Sequence, residues 1–390
     1  MAESVTSVEE SGKDIPLFRE KVLIFAPMKI WFLLFFALLL IGVAYTFWRT
    51  WQILPCSTPW KIAVLVAMTL CLFVFFANFG IWTLDKLPMP VATTAYHIGN
   101  SSMFVLLYVV MLFLLLDIGR WVHVVPADFL RHSIKGTLSV LFIIVGLFTY
   151  GYVHYRDKVR QPLTLTTSKK LESPLKIVML SDLHLGYHNQ IAEFNRWVDL
   201  INQEHPDLIL IGGDIIDGHM RPLIEQNMAQ SFRNLKAPVV ACLGNHEYYT
   251  GGSAALKFYE DAGIHLLVDS AMTLKGVNII GRDDRTNAGR KSLEQLLDGI
   301  DTTRYTILLD HQPYHLEQAE QNAIDFQLSG HTHYGQVWPI SWIEDAVYED
   351  AYGPLQKGNT RYFVTSGIGI WGGKFRIGTR SEYLVAELKN

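Results

Sequence analysis

Two hydropathy patterns divide the 390 residues of this chain. In the first 155 residues the apolar positions come in long runs: Ile30–Trp48, Ile62–Leu84, Ile98–Leu116 and Ile134–Tyr152. The only charge inside them is Lys135, at an edge. Each run is close to the ~20 residues that a helix needs to cross ~30 Å of hydrocarbon. The pattern therefore predicts a transmembrane module of four helices over residues 29–155. Trp31, Trp48, Trp51, Trp60, Trp82, Tyr96, Trp121, Tyr150 and Tyr152 gather at the run ends, where aromatic belts form at membrane–water interfaces. No run has an ionisable residue near its middle, as a transport pathway would need, so the module is expected to be an anchor. Asn100-Ser101-Ser102 is expected to bond between helices.

Residues 1–28 form a polar leader too long to be a cleaved signal peptide. With the N-terminus inside, ten Lys and Arg residues flank the spans on the inner side and five on the outer. The positive-inside rule then places both termini in the cytoplasm.

From residue 176 the pattern changes to short apolar runs alternating with segments of helical period. Between the two regions lies an expected linker, 156–175, whose Gln161–Pro174 stretch is polar and extended. Strands are predicted at Lys176–Leu180, Asp207–Ile211, Pro238–Leu243, His265–Val268, Val277–Ile280, Tyr305–Leu309, Phe326–Leu328, Arg361–Thr365 and Glu382–Glu387. Helices are predicted at Ile191–Gln203, Ile224–Leu235, Ala254–Ala262, Leu293–Leu297 and Leu316–Gln321. Such alternation argues for a layered α/β domain over residues 176–390. The net charge of −4 gives no basic field for nucleic acid. Cys56, Cys71 and Cys242 are scattered and imply neither a disulfide framework nor a zinc knuckle. No protein partner is expected.

The chemistry sits where strands end, the edge on which α/β folds place their sites. Five strands run directly into Ser181-Asp182-Leu183-His184, Gly212-Gly213-Asp214-Ile215-Ile216-Asp217, Gly244-Asn245-His246-Glu247, Asp310-His311-Gln312-Pro313 and Gly330-His331-Thr332-His333. Singly, each has an ordinary reading: Asp214 could cap a helix, and Asn245 could sit in a left-handed turn. Together they converge carboxylate, amide and imidazole donors on one edge. That mixed set suits Mn, Fe or Zn better than calcium. The glycines before Asp214, Asn245 and His331 let the backbone approach the ions closely. Ser181 and Cys242 lack an obvious paired base, so no covalent nucleophile is expected.

The order D-x-H, G-D-x-x-D, G-N-H-E, H-Q-P, G-H-T-H resembles the calcineurin-like metallophosphoesterase superfamily. Gly367-Ile368-Gly369-Ile370-Trp371-Gly372 with Arg376-Ile377-Gly378 resembles a membrane-anchored bacterial branch of it. The resemblance implies a four-layer α/β/β/α domain behind the transmembrane module. It also implies two divalent metal ions that clamp a phosphoryl group and activate water. By that resemblance Asp182, His184 and His333 would hold the first ion. Asn245, His311 and His331 would hold the second, and Asp214 would bridge. His246 would face the substrate as the catalytic residue. Asp217 and Glu247 are expected to support histidines rather than bind metal. His188, His219, Arg282, Arg285, Arg290 and Arg376 are candidates for touching substrate.

An aromatic insertion, Tyr334 to Tyr362, follows the last histidine pair. Together with the lipid bilayer as partner it suggests a flap facing lipid, a lipid-linked phosphoester or pyrophosphate as substrate, and a bacterial cytoplasmic membrane as location. A phosphodiesterase of soluble nucleotides and a non-catalytic membrane scaffold are the alternatives.

Overall fold

The computed structural model describes residues 27–80, 84–250 and 252–390; nearly all of the polar leader, and Trp82, lie outside these. The apolar runs become helices α1 (Pro27–Ile53), α2 (Thr58–Gly80), α3 (Met89–Trp121) and α4 (Ile134–Arg156). Among the described residues, α2, α3 and α4 are long and apolar enough to cross a membrane. Helix α3 far exceeds the run Ile98–Leu116. Its 33 residues measure ~50 Å at 1.5 Å per residue. The extra turns at its start reach the α/β domain, where Thr93 Oγ1 accepts a hydrogen bond from Gln190 at 3.0 Å. Asn100 does bond locally, donating to Tyr96 O at 2.9 Å, and Ser102 Oγ reaches Cys71 O of α2 at 3.3 Å.

The expected linker is not one. Through Asp157 alone, α4 passes into strand β1 (Lys158–Thr166). That strand pairs in parallel with the C-terminal strand over nine residues. It lies at the end of its sheet, and an edge strand tolerates Pro162 and a polar outer face. This is why its composition looks like a tether.

The remaining strands are β2 (Leu175–Leu180), β3 (Leu208–Ile211), β4 (Val239–Ala241), β5 (His265–Leu266), β6 (Ser270–Leu274), β7 (Val277–Gly281), β8 (Thr306–Leu309), β9 (Phe326–Ser329), β10 (Gly353–Lys357), β11 (Thr360–Val364) and β12 (Ser381–Lys389). They form two six-stranded sheets, in the orders β1-β12-β2-β3-β4-β5 and β10-β11-β9-β8-β7-β6. Strands β6 and β10 have no counterpart in the sequence reading. Each pairs antiparallel with the next strand at the sheet margin, and their polar residues give no apolar run. The predicted helix Ile224–Leu235 is two short ones, Met220–Glu225 and Met228–Phe232, broken where Asn227 takes φ 51°.

Strands β2 and β3 are buried on both faces, as central strands covered on both sides must be. Ile177, Met179, Leu208 and Leu210 pack with Ile279, Ile307, Leu309 and Leu328 of the other sheet. Val178, Leu180, Ile209 and Ile211 pack outward against Phe194, Trp197 and Ile201 of the amphipathic helix α5 (Ile191–Gln203). The apolar side chains of these two strands thus fill both layers, and the Asp, Asn and His donors fall in the loops that leave the strand ends.

Candidate metal centre

The five strand-end segments meet. Asp182, His184 and His333 bring their donor atoms within 4.8 Å of one another, and so do Asp214, His311 and His331. Asp214 lies between the groups: its Oδ2 is 3.6 Å from His184 Nε2 and 3.1 Å from His311 Nε2. His184 Nε2 and His333 Nε2 face each other at 3.0 Å, and Asp182 Oδ1 is 3.8 and 3.5 Å from those two atoms. Asn245 Oδ1 lies 2.8 Å from His331 Nδ1. All seven expected ligands therefore stand together.

The backbone is bent to achieve this. Asp182, His184, Asp214, His331 and His333 all have φ between 44° and 71°, a region in which each residue stores strain and which clusters at functional sites. Two glycines make the bends possible. A Cβ on Gly244 would lie 2.2 Å from Asp214 Oδ1, and one on Gly330 would lie 2.2 Å from Asp182 Oδ2. Backbone N–H groups also hold the carboxylates: His246 N donates to Asp214 Oδ1 at 2.9 Å and His331 N to Asp182 Oδ1 at 3.1 Å.

The electrostatics suit a bound cation. Asp182, His184, Asp214 and His311 are almost wholly buried, and several nitrogens have nothing to bond. His311 bonds Gly212 O through Nδ1 at 2.7 Å, and its buried Nε2, turned toward Asp214, makes no hydrogen bond. A buried unpaired polar atom is costly, and a cation among these atoms would satisfy it. Burial lowers His333 to about 3 and, helped by repulsion from His311, His331 to about 4. Both therefore stay neutral and able to donate a lone pair. Burial opposes charge on His184, but hydrogen bonds to Asp182 and Asp217 outweigh it and raise the group to about 10. Burial likewise disfavours the Asp182 and Asp214 carboxylates, yet the surrounding histidines hold both below their ordinary value.

His246 lies at the open side, with Tyr249 and Trp371 at ring distances of 5.2 and 6.4 Å. Burial lowers its pKa, and its Nδ1 faces Asp217 Oδ1 at 3.6 Å. Asp217 supports His184 as expected, with Oδ1 3.1 Å from Nδ1.

Several expectations need correction. Among the described residues the Glu247 carboxylate hydrogen-bonds no histidine. Its carboxylate accepts from the backbone N–H groups of Asp214, Ile215, Ile216 and Gly244 and from the Tyr259 hydroxyl. It thus clamps the Asp214 and Asn245 loops to each other. His188 does not face substrate: it is buried, bonds Ile370 O at 2.5 Å and stacks on Tyr96. Arg376 is fully buried and donates to the carbonyls of His333, Ser366 and Gly369, bracing the backbone under His333. Arg282 and Arg290 both pair with Asp310. His219 pairs with Asp85 of the α2–α3 connection at 3.3 Å. Arg285 remains exposed, with its guanidinium over Tyr314. The sequence reading missed Asp284, buried beside this cluster and bonded twice by Gln312. The signal was the Asp283-Asp284 pair one residue after β7.

A cluster of hard and borderline donors on the carboxyl ends of two stacked sheets is a site for metal-assisted hydrolysis. Residues 175–335 match the family of calcineurin-like phosphoesterases. Over 271 residues the chain is 32% identical to an uncharacterized metallophosphoesterase of Helicobacter pylori, covering 65% of this chain and 72% of the relative. It is 30% identical over 281 residues to one of Bacillus subtilis, covering 67% of this chain and 97% of the relative. A transmembrane protein with metallophosphoesterase domain from Danio rerio is 30% identical over 281 residues, covering 66% of this chain and 63% of that one. The chain belongs to the calcineurin-like metallophosphoesterases, the divalent-metal-dependent hydrolases of phosphoesters.

Proposed function

We propose that this chain is a membrane-anchored hydrolase with a dinuclear metal centre that cleaves lipid-linked phosphoesters or pyrophosphates. In this reading α1 joins α2, α3 and α4 in a four-span anchor of a bacterial cytoplasmic membrane, with the four-layer catalytic domain on the cytoplasmic side. Asp182, His184 and His333 hold one ion, Asn245, His311 and His331 the other, and Asp214 serves both. The observation that carries the two-ion reading is the position of Asp214 Oδ2, within 3.6 Å of a histidine from each group.

When bound, the ions, Mn, Fe or Zn by donor type, would supply charge for the phosphoryl oxygens and a water acidic enough to react at neutral pH. The protein's own residues do the rest. The Asp182 and Asp214 carboxylates, kept ionised by their histidines, fix the two groups relative to each other. Glu247 locks the loops that carry Asp214 and Asn245 through four backbone N–H groups. His246 turns Nδ1 toward Asp217, which leaves Nε2 to protonate the departing oxygen or to donate to the phosphoryl group.

The lipid assignment rests on the aromatic insertion. Its helix, Ile340–Val347, exposes Trp342 at 65% and Ile343 at 61%, a face suited to a membrane–water interface. The segment leading into it is packed on the membrane helices. Val337 and Ile340 cluster with Tyr108 of α3 and Phe148 of α4, and the Tyr108 hydroxyl donates to Trp338 O at 2.5 Å. The apolar face therefore continues the surface of the transmembrane module. The test is turnover by the full-length protein in lipid nanodiscs with Mn²⁺, offered phosphatidic acid, a polyprenyl pyrophosphate and water-soluble mono- and diesters. Preferred cleavage of a lipid substrate is expected. Cleavage of soluble esters alone would overturn the lipid assignment, and no turnover of any ester would favour a scaffold.

A further inference from the structure

We propose that Tyr96, on the membrane helix α3, is a positioning residue of the hydrolytic site, acting on His184 through Asp217. The inference rests on reading Asp182, His184 and His333 as the holders of one ion.

Asp217 lies 33 residues from His184 in sequence, but Tyr96 comes from the other region of the molecule. The Tyr96 hydroxyl donates to Asp217 Oδ2 at 2.5 Å, across 121 residues of chain. The other carboxylate oxygen, Oδ1, accepts from His184 Nδ1 at 3.1 Å. Once Nε2, which lies 3.0 Å from His333 Nε2, gives up its proton to ligate an ion, that bond keeps the remaining proton on Nδ1. A carboxylate behind a ligating histidine fixes its tautomer and ring orientation. Asp217 can do this only if it cannot swing. A competing donor is near, since His246 Nδ1 is 3.6 Å from Oδ1. The Tyr96 hydroxyl occupies Oδ2 and so assigns Oδ1 to His184.

Tyr96 is itself held in place. It is 6% exposed, stacks on His188 with ring centroids 4.9 Å apart and planes 14° from parallel, and packs with Leu84, Ala92 and Tyr187. Asn100, one turn on, donates to its carbonyl. His188 carries the same contact onward to Ile370 O, next to the Trp371 that flanks His246. A membrane helix thus completes the hydrogen bonding of a carboxylate that aims one metal donor and lies beside the proposed proton donor.

The test uses full-length protein in nanodiscs, stripped of metal and titrated with Mn²⁺, free Mn²⁺ being read by electron paramagnetic resonance. Tyr96→Phe removes one hydroxyl and keeps the stacked ring. It is expected to weaken one of the two Mn²⁺ equivalents roughly tenfold, the usual size of an outer-shell effect, and to leave the other unchanged. Asp217→Asn should weaken the same equivalent, and adding Tyr96→Phe to it should change little further. Tyr187→Phe, which loses a bond to Asp85 instead, should bind as the unsubstituted protein does. Unchanged Mn²⁺ binding in Tyr96→Phe, or full additivity with Asp217→Asn, would overturn the proposal. Failure of the unsubstituted protein to bind Mn²⁺ would overturn the metal-site reading beneath it, and the proposal with it.

Discussion

Two of the places where the molecule buries charge are completed differently. In the membrane module, Arg49 of α1 meets Asp117 of α3. Arg49 Nε donates to Asp117 Oδ2 at 2.7 Å, Nη2 donates to Oδ1, and Nη1 donates to Gln52 at 3.0 Å. The Tyr45 hydroxyl adds a bond to Oδ2 at 2.5 Å, and the guanidinium lies over Trp48. Charge and donors are matched, and this cluster needs nothing else. At the strand ends, by contrast, carboxylates are crowded by imidazoles whose nitrogens lack partners. The first is a closed ion pair that joins two helices. The second is an open coordination shell. The lesson is that buried charge marks function where its hydrogen bonding is left incomplete.

Breaking the open cluster should have the largest effect. Asp214→Asn keeps the volume but removes the charge shared by both groups, and a loss of turnover of roughly 10³-fold or more is expected. His246→Ala should cost a similar factor while leaving Mn²⁺ binding intact. Activity that persists in Asp214→Asn would refute its bridging role. Breaking the closed cluster should affect folding and not chemistry. Arg49→Ala leaves Asp117 uncompensated and should destabilise the protein by about 3 kcal/mol, whereas Arg49→Met with Asp117→Leu should recover most of that. Denaturation in detergent micelles measures both, and Mn²⁺ affinity should stay unchanged in each.

The smallest effect sharpens the comparison at a third, unpaired charge. Burial, and then Asp345, raise Glu344 to about 7 from its ordinary 4.5. The fold thus favours the protonated acid. Its contribution to stability is full below pH 4.5 and is lost as pH rises through 7. Glu344→Gln should match the unsubstituted protein at pH 4.5 and exceed it at pH 8, by about 1–2 °C in Tm. Equal melting at both pH values would remove Glu344 from consideration.

Much of the candidate site was legible because each strand is a short apolar run and each donor follows directly on its end. Asp182, His184, Asp214, Asn245, His311, His331 and His333 needed only that rule to be grouped. What the sequence hid was contact across the chain. Nothing local distinguishes Arg376, buried under His333, from a surface anion binder. Glu247 sits beside His246 in sequence yet spends its carboxylate on backbone amides. Tyr96 looked like one more aromatic at a membrane boundary. Strand β1 was missed for another reason: one of its faces lies in solvent, so Arg160, Pro162, Thr164 and Thr166 imitate a linker.

The single residue between α4 and β1 has a mechanical consequence. Nine parallel backbone pairings follow it at once, so the catalytic domain has no leash on which to swing. The height of its metal centre over the bilayer is then built in covalently, like the throat depth of a fixed gauge. Scissile bonds would be sorted by how far they stand from the lipid surface, before any side chain reads their chemistry.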